Sequence, residues 1–317
     1  MPDYIFTVRR IRKGVFLPEP GPAHFLEVPD KATTHGPDDK ISRASWFKKV
    51  QEDCKGRVNP ITGEDVGDIV VYVHGFNNSL DAVVTRHRFI KKCFQDFGFE
   101  GTVVSFDWPS DDSALNYLED RWDAKQTANQ LVKEGIANFV RLQRPDCEIN
   151  LHIMAHSMGT YVVREAFDDA DDRRQLAAKS WAVSQVLLFG ADISAGSLAA
   201  DSSKSSSLYR HCARLTNYYN HFDNALKLSN VKRIGVSPRA GRIGLPDDAP
   251  DKAVNISCTE RFDALPETFK KDDLAGHRFY FEDTEFMRDA FYTILGDTDR
   301  HNIPTRARLG DKLILKP

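Results

Sequence analysis

Short, unbroken apolar runs recur along this chain, and each ends at a turn former. Asp68-Ile-Val-Val-Tyr-Val-His74, Thr102-Val-Val-Ser-Phe106, Ile149-Asn-Leu-His-Ile-Met154 and Gln185-Val-Leu-Leu-Phe189 are of this kind, and Arg214–Tyr219 and Ala253–Ser257 follow. Continuous apolar character marks strands covered on both faces, as in a parallel sheet. Helical spacing fills the intervals. Leu80–Gln95 brings Val83, Phe89, Ile90 and Phe94 near one face, and Ala124–Leu142 does the same with Ala128, Leu131, Ile136, Phe139 and Val140. Thr284–Leu295 sets Phe286, Ala290, Phe291 and Ile294 on one side behind an Asp283 cap. Strands alternating with helices predict an α/β fold: a mostly parallel, doubly wound sheet flanked by helices. The first 66 residues are less regular. Met1–Val28 reads as one or two edge strands, Pro29–Lys40 as a polar loop, and Ser42–Cys54 as a helix capped by Ser42 with Trp46, Phe47 and Val50 on one side.

Composition narrows the function classes. Of 317 residues, 41% are hydrophobic and 28% charged, which is ordinary globular usage, and the formal charge of -3 leaves no basic excess to hold a phosphate backbone. Nucleic acid is therefore not an expected partner. Five scattered cysteines (Cys54, Cys93, Cys147, Cys212 and Cys258) form no Cys-x-x-Cys pair, so neither a disulfide framework nor a zinc site is indicated. Charges crowd Met1–Arg10 where a signal peptide needs an apolar run, and the longest apolar stretches fall far short of the ~20 residues that span a bilayer. A cytoplasmic protein without a membrane span is expected. Two stretches break the rhythm: the Ser- and Ala-rich Ser194–Ser207, readable equally as a lid or a plain surface loop, and the Gly-, Pro- and Arg-rich Arg233–Pro250.

Chemistry concentrates in Ala155-His-Ser-Met-Gly159, which follows one predicted strand directly and precedes a helical pattern of Val162, Val163, Ala166 and Phe167. A nucleophile elbow needs this context. The turn is so tight that small residues must flank the serine, whose Oγ then projects above the sheet edge. Alanine replaces the usual first glycine here, and a methyl group is small enough for that position. Upstream, His74-Gly75-Phe76-Asn77 follows another strand. In this architecture that loop supplies one oxyanion-hole N–H and the residue after the nucleophile supplies the second, which assigns Phe76 and Met158 through their main chains. His74 reads as a brace for the loop.

These motifs, with Trp108-Pro-Ser110, make the chain resemble the α/β-hydrolase superfamily. More narrowly, it is similar to a bacterial serine-hydrolase-like family of unassigned function that carries His-Gly-Phe-Asn, Trp-Pro-Ser and Ala-His-Ser-Met-Gly. The resemblance runs from about Asp68 to Leu295 and implies an α/β-hydrolase fold with an N-terminal elaboration and a Ser, acid, His triad in that chain order. A single domain over 1–317 is expected, with the elaboration at 1–66, the catalytic core at 67–296 and a tail at 297–317. Four histidines follow Ser157. His277 lies between Ala253–Ser257, taken as the last strand, and the terminal helix, so it is the expected base; His301 sits in the tail, and His211 and His221 bracket the preceding strand. Asp223, after the strand next to the last, is the favoured acid, and Asp192, after Gln185–Phe189, is the alternative.

The expected activity is hydrolysis of a carboxylic ester through an acyl-enzyme on Ser157, with a small-molecule ester or acyl compound as partner and no metal or organic cofactor. A thioesterase or amidase would use the same groups. A catalytically silent fold serving as a binding protein is the rival reading, though no triad residue looks lost. His74, Asn77, Trp108 and His156 are candidates to line the site, with Trp108 more simply a loop-packing residue. Arg239 and Arg242 read as a solvated or salt-bridged pair before an anion site, and Arg121 and Trp122 as a surface helix with one buried ring.

Overall fold

The computed structural model describes residues 2–110, 117–140, 148–173, 181–231 and 237–317. The predicted positions at Leu142 and Cys147 and the start of the 233–250 loop lie outside these residues, and nothing is described of the Arg121 and Trp122 side chains.

Within the runs read as buried strands, successive side chains feed two separate cores. Ile69, Val71 and Val73 join one apolar cluster, while Val70 and Tyr72 join the other. This follows from the period of two along a strand when both faces are covered. One core is closed by Trp46 of the helix Arg43–Asp53 and by Val162, Val163 and Phe167 of the helix Gly159–Asp172. The other is closed by Ile90 and Phe94 of Leu80–Asp96 and by Phe286, Ala290 and Ile294 of Thr284–Leu295. Ser42 and Asp283 cap their helices by accepting from Ser45 N–H and Glu285 N–H.

Among the described residues twelve strands form one sheet: β1 Asp3–Arg12, β2 Val15–Val28, β3 Lys40–Ile41, β4 Lys55–Val58, β5 Asp65–Val73, β6 Thr102–Asp107, β7 Glu148–His156, β8 Val183–Phe189, β9 Cys212–Tyr219, β10 Ala253–Ser257, β11 Arg306–Leu309 and β12 Lys312–Leu315. Their order is β11-β12-β10-β9-β8-β7-β5-β6-β1-β2-β3, with β4 beside β5. From β1 through β12 the neighbours along this order are parallel; β1–β2, β2–β3 and β11–β12 are antiparallel at its two ends, and the short β4 pairs antiparallel with the start of β5. This is the α/β-hydrolase architecture that the sequence led us to expect. No helix among the described residues is long and apolar enough to cross a membrane.

Two parts of the expectation need correction. β1 is not an edge strand: it lies between β6 and β2, and Ile5, Phe6 and Val8 are fully buried. The segment after the terminal helix is not a plain tail either. It forms the β11–β12 hairpin, and β12 runs parallel to β10 at Ser257↔Ile314, so Ala253–Ser257 is not the last strand. A buried charge cluster anchors it, in which Arg306 donates to both Asp289 carboxylate oxygens at 2.6–3.1 Å and Thr305 Oγ1 donates to Asp289 Oδ2 at 2.5 Å.

One buried histidine gives the fold a defined acid sensitivity. His87 is fully enclosed, with Nδ1 2.8 Å from Ser105 Oγ, and burial pushes its imidazole down to about 4, against the pull of Asp3. It is neutral in the native state. An unfolded chain protonates the same ring near pH 6.5, so the stabilisation is complete above that value and is lost as pH falls from about 6.5 through about 4. His87 alone accounts for roughly 3 kcal/mol over this window. Thermal melts of wild type and His87→Gln at steps across it are expected to show a shallower fall of Tm in the variant. Parallel curves would reject this origin for the acid limb.

Candidate active site

The carboxyl ends of parallel strands form the edge where side chains from separate loops converge. At the end of β7 the chain turns sharply into the helix Gly159–Asp172, and Ser157 occupies the tip with φ +53°, a left-handed conformation rare for a residue with a side chain. The tip is held by its main chain. Ser157 N–H donates to Phe189 O, and Ser157 O accepts from Thr160 Oγ1 at 2.6 Å and from Asp192 N–H at 3.2 Å. The small flanking residues have steric causes. A Cβ on Gly159 would fall 2.4 Å from His74 O and 2.5 Å from Val73 O, which no backbone can absorb, whereas Ala155 is accommodated, fully buried.

Three residues that the sequence singled out lie in one hydrogen-bonded line. Ser157 Oγ is 2.8 Å from His277 Nε2, and His277 Nδ1 is 2.6 Å from Asp223 Oδ2. A carboxylate only accepts, so Nδ1 carries the proton and Nε2 is left to accept from the serine hydroxyl. Asp223 is completely buried, and its other oxygen accepts from Leu226 N–H at 2.9 Å. Asp192, the alternative acid, pairs with Arg239 at 3.1 Å with both side chains nearly enclosed. Its buried partner makes Asp192 a brace between the loops after β8 and around Pro238, and it takes Arg239 out of consideration as a solvent-facing anion site. Arg242 Nε donates to Asp223 O at 3.2 Å.

The candidate lining residues divide. Asn77 is exposed, with φ +54°. His74 and Trp108 are fully buried and stacked on each other, ring centroids 5.5 Å apart, with Trp108 Nε1–H donating to His74 O. They brace the loop from behind and do not line the site, because the tryptophan's one donor is spent on the loop backbone. His156 packs against His277. Its Nε2–H donates to His277 O at 2.9 Å, and the two rings are 4.7 Å apart. Burial, reinforced by His277 and Arg86, pushes the His156 imidazole well below its ordinary range and keeps it neutral.

The expected donor loop is tightly enclosed. A Cβ on Gly75 would lie 2.7 Å from Ser157 Cβ, so only glycine lets the loop approach the serine. Met158 begins the helix on the other side of Ser157, fully buried. The first half of the Ser194–Ser207 segment is packed, while Asp201, Ser203, Lys204 and Ser206 are exposed. Ala195–Leu198 forms a short helical turn, Arg164 Nη1 donates to Ser197 Oγ, Tyr209 OH donates to Leu198 O, and Ser194 bridges to Arg239.

Sequence reasoning overlooked two asparagines. Asn220 ties the acid loop to the histidine loop: its Nδ2 donates to Gly276 O at 2.9 Å and its Oδ1 accepts from Phe222 N–H at 3.0 Å. Asn78, fully buried, donates from Nδ2 to Gly75 O at 2.8 Å and to Phe76 O at 3.0 Å. The available signal was position: each sits within three residues of a candidate already chosen. Behind Asn78 lies a charged cluster with no local signal. Arg9 Nη2 donates to Asn78 O at 3.1 Å, while Arg9 Nε donates to both oxygens of Asp107 at 3.0 Å. Thr7 Oγ1 donates to Asp107 Oδ2 at 2.6 Å, and the rings of His35 and His74 each come within 3.0 Å of the same carboxylate. Burial alone would raise the Asp107 carboxyl; Arg9 and the two histidines outweigh it and hold it well below the usual range.

Comparison with known proteins gives a family match and weaker similarities. A family model described as "Alpha/beta hydrolase of unknown function (DUF900)" matches residues 51–288. The uncharacterized protein alr1448 of Nostoc sp. is 28% identical over 122 residues, a stretch covering 32% of this chain and 31% of that protein's length. Among solved structures, Trichoderma reesei cutinase in complex with a phosphonate inhibitor is similar at 17% identity and a TM-score of 0.28, over 53% of this chain and 66% of that one. Aspergillus fumigatus lipase B is similar at 13% identity and a TM-score of 0.37, over 79% of this chain and 55% of that one.

Proposed function

The chain belongs to the alpha/beta hydrolases of unknown function, and on that premise we propose that it is a serine hydrolase that cleaves a carboxylic ester through an acyl-enzyme on Ser157. The observation that carries this reading is the unbroken line from Ser157 Oγ through His277 to the buried Asp223, with the serine on a left-handed turn.

In the reaction, Ser157 Oγ attacks the ester carbonyl carbon while its proton passes to His277 Nε2. Asp223 keeps the proton on Nδ1, so the imidazole presents the correct nitrogen, and its charge stabilises the imidazolium that forms. The carbonyl oxygen becomes an oxyanion, which the main-chain N–H groups of Phe76 and Met158 receive. Collapse breaks the carbon–oxygen bond to the alcohol, and His277 returns its proton to the departing alkoxide. Water then attacks the acyl-serine, giving its proton to the same nitrogen, and the acid leaves as Ser157 regains its hydrogen.

Acid quenching during turnover of a nitrophenyl ester, followed by peptide mass mapping, tests the intermediate. The acyl group is expected on the peptide carrying Ser157, and on no peptide of Ser157→Ala. Turnover with the acyl group on another side chain would contradict the proposal.

A further inference from the structure

The proposed mechanism needs a donor that already points at the developing oxyanion, because the benefit of such a donor lies in its being oriented before the charge appears. A backbone N–H cannot be aimed by its own side chain. It is aimed by whatever fixes its peptide plane, and in a trans peptide the carbonyl of the preceding residue points opposite to the N–H. No cis peptide occurs among the described residues. Holding Gly75 O therefore sets the direction of Phe76 N–H, and holding Phe76 O sets that of Asn77 N–H.

Both carbonyls are held by one side chain. Asn78 Nδ2 donates to Gly75 O at 2.8 Å and to Phe76 O at 3.0 Å, and His74 Nδ1 lies 2.7 Å from the same Gly75 O. Pulled toward the interior, the two carbonyls turn the opposite edges of their peptides away from Asn78. Asn78 is itself fixed on every polar group: its N–H donates to Ser110 Oγ at 3.2 Å, its Oδ1 accepts from Arg86, and its carbonyl accepts from Arg9. Arg9 stands on β1, sixty-nine residues away in sequence, and is locked by its paired bonds to Asp107. Arg9 and Asp107 are nearly or completely buried. The N-terminal hairpin thus reaches the donor loop through fully enclosed charge-assisted bonds, which are among the stronger and more directional contacts in proteins.

We propose that Asn78 and Arg9 are positioning residues that aim the Phe76 N–H at the oxyanion, which makes β1 part of the catalytic apparatus as well as part of the sheet. This rests on the serine-hydrolase reading above.

The test compares wild type with Asn78→Asp and Arg9→Lys on a nitrophenyl ester, alongside inhibition by a trifluoromethyl ketone, which forms a tetrahedral oxyanion adduct with a serine. Asn78→Asp keeps the size of the side chain but replaces its N–H donor by oxygen, which removes the Asn78 bonds to Gly75 O and Phe76 O and leaves His74 Nδ1 beside Gly75 O. Losing one oxyanion donor typically lowers kcat about 10²–10³-fold, and a misaimed one is expected to lower it by about 10² with KM changed less than about threefold. Arg9→Lys retains the charge beside Asp107 but not the fork that also reaches Asn78, and a loss of about tenfold is expected. In both, ketone affinity is expected to fall in step with kcat/KM. A folded Asn78→Asp with kcat within about threefold of wild type overturns the relay, as does a joint loss of kcat and KM with ketone affinity unchanged. If Asn78→Asp does not fold, Arg9→Lys decides by the same criteria. Wild type that turns over no ester removes the hydrolase reading and the relay with it, whereas active wild type with unaffected variants removes the relay alone.

Discussion

Ser157→Ala is expected to lose ester hydrolysis by on the order of 10⁶ in kcat, the scale seen when the nucleophile of a coupled triad is removed. The protein should survive the change. The elbow is held by main-chain bonds from Ser157 N–H to Phe189 O and into Ser157 O from Thr160 and Asp192, none of which uses the serine hydroxyl. The methyl group of alanine occupies the space of Cβ, which Gly75 already accommodates. Steady-state kinetics with a sensitive nitrophenyl ester and a thermal melt check both halves. Retention of more than about a hundredth of the wild-type kcat would point to a different nucleophile.

Asp223→Asn and Asp192→Asn are expected to fail in opposite ways. The first leaves His277 Nδ1 facing an amide in place of a carboxylate, so the wrong tautomer is favoured, and a loss of about 10⁴ in kcat is expected with little change in KM. The second breaks the enclosed pair with Arg239 and leaves that guanidinium without its compensating charge, at a cost of about 3–5 kcal/mol. Its Tm is expected to drop by on the order of 10 °C while kcat of the folded fraction stays within about tenfold. Paired melts and kinetics of the two variants read this out. A kcat collapse in Asp192→Asn with Asp223→Asn nearly unaffected would exchange the two roles.

The central strands were readable because burial on both faces removes the polar positions that would otherwise blur a short run, as in Ile69–Val73. Ala155–Gly159 was readable because steric limits at a sharp turn act on neighbouring residues and so leave a local pattern. His277 and Asp223 followed from chain order in the resemblance, and the structure brings His277 to Ser157 and Asp223 to His277. What escaped the reading depends on distance along the chain. Lys312–Leu315 is too short to announce a strand, and its place beside β10 is secured by Arg306 reaching Asp289 on the preceding helix. β1 looked like an edge because its interior role comes from β6, about a hundred residues later, with Thr7 opposite Asp107. Arg9 beside Asp107 has no sequence signature, since an ion pair closed across ninety-eight residues leaves neither partner distinctive. Asn78 was passed over for a different reason: its neighbour Asn77 fits the motif, yet Asn77 faces outward while Asn78 holds the loop.

If Ser157 is a nucleophile activated by His277 and Asp223, a fluorophosphonate should trap it. Incubating the folded protein with this reagent and mapping the adduct by mass spectrometry is expected to give one stoichiometric adduct on Ser157, absent from Ser157→Ala and formed far more slowly in Asp223→Asn. A folded wild-type protein that leaves Ser157 unlabelled, or that takes the adduct at another residue, would contradict that role.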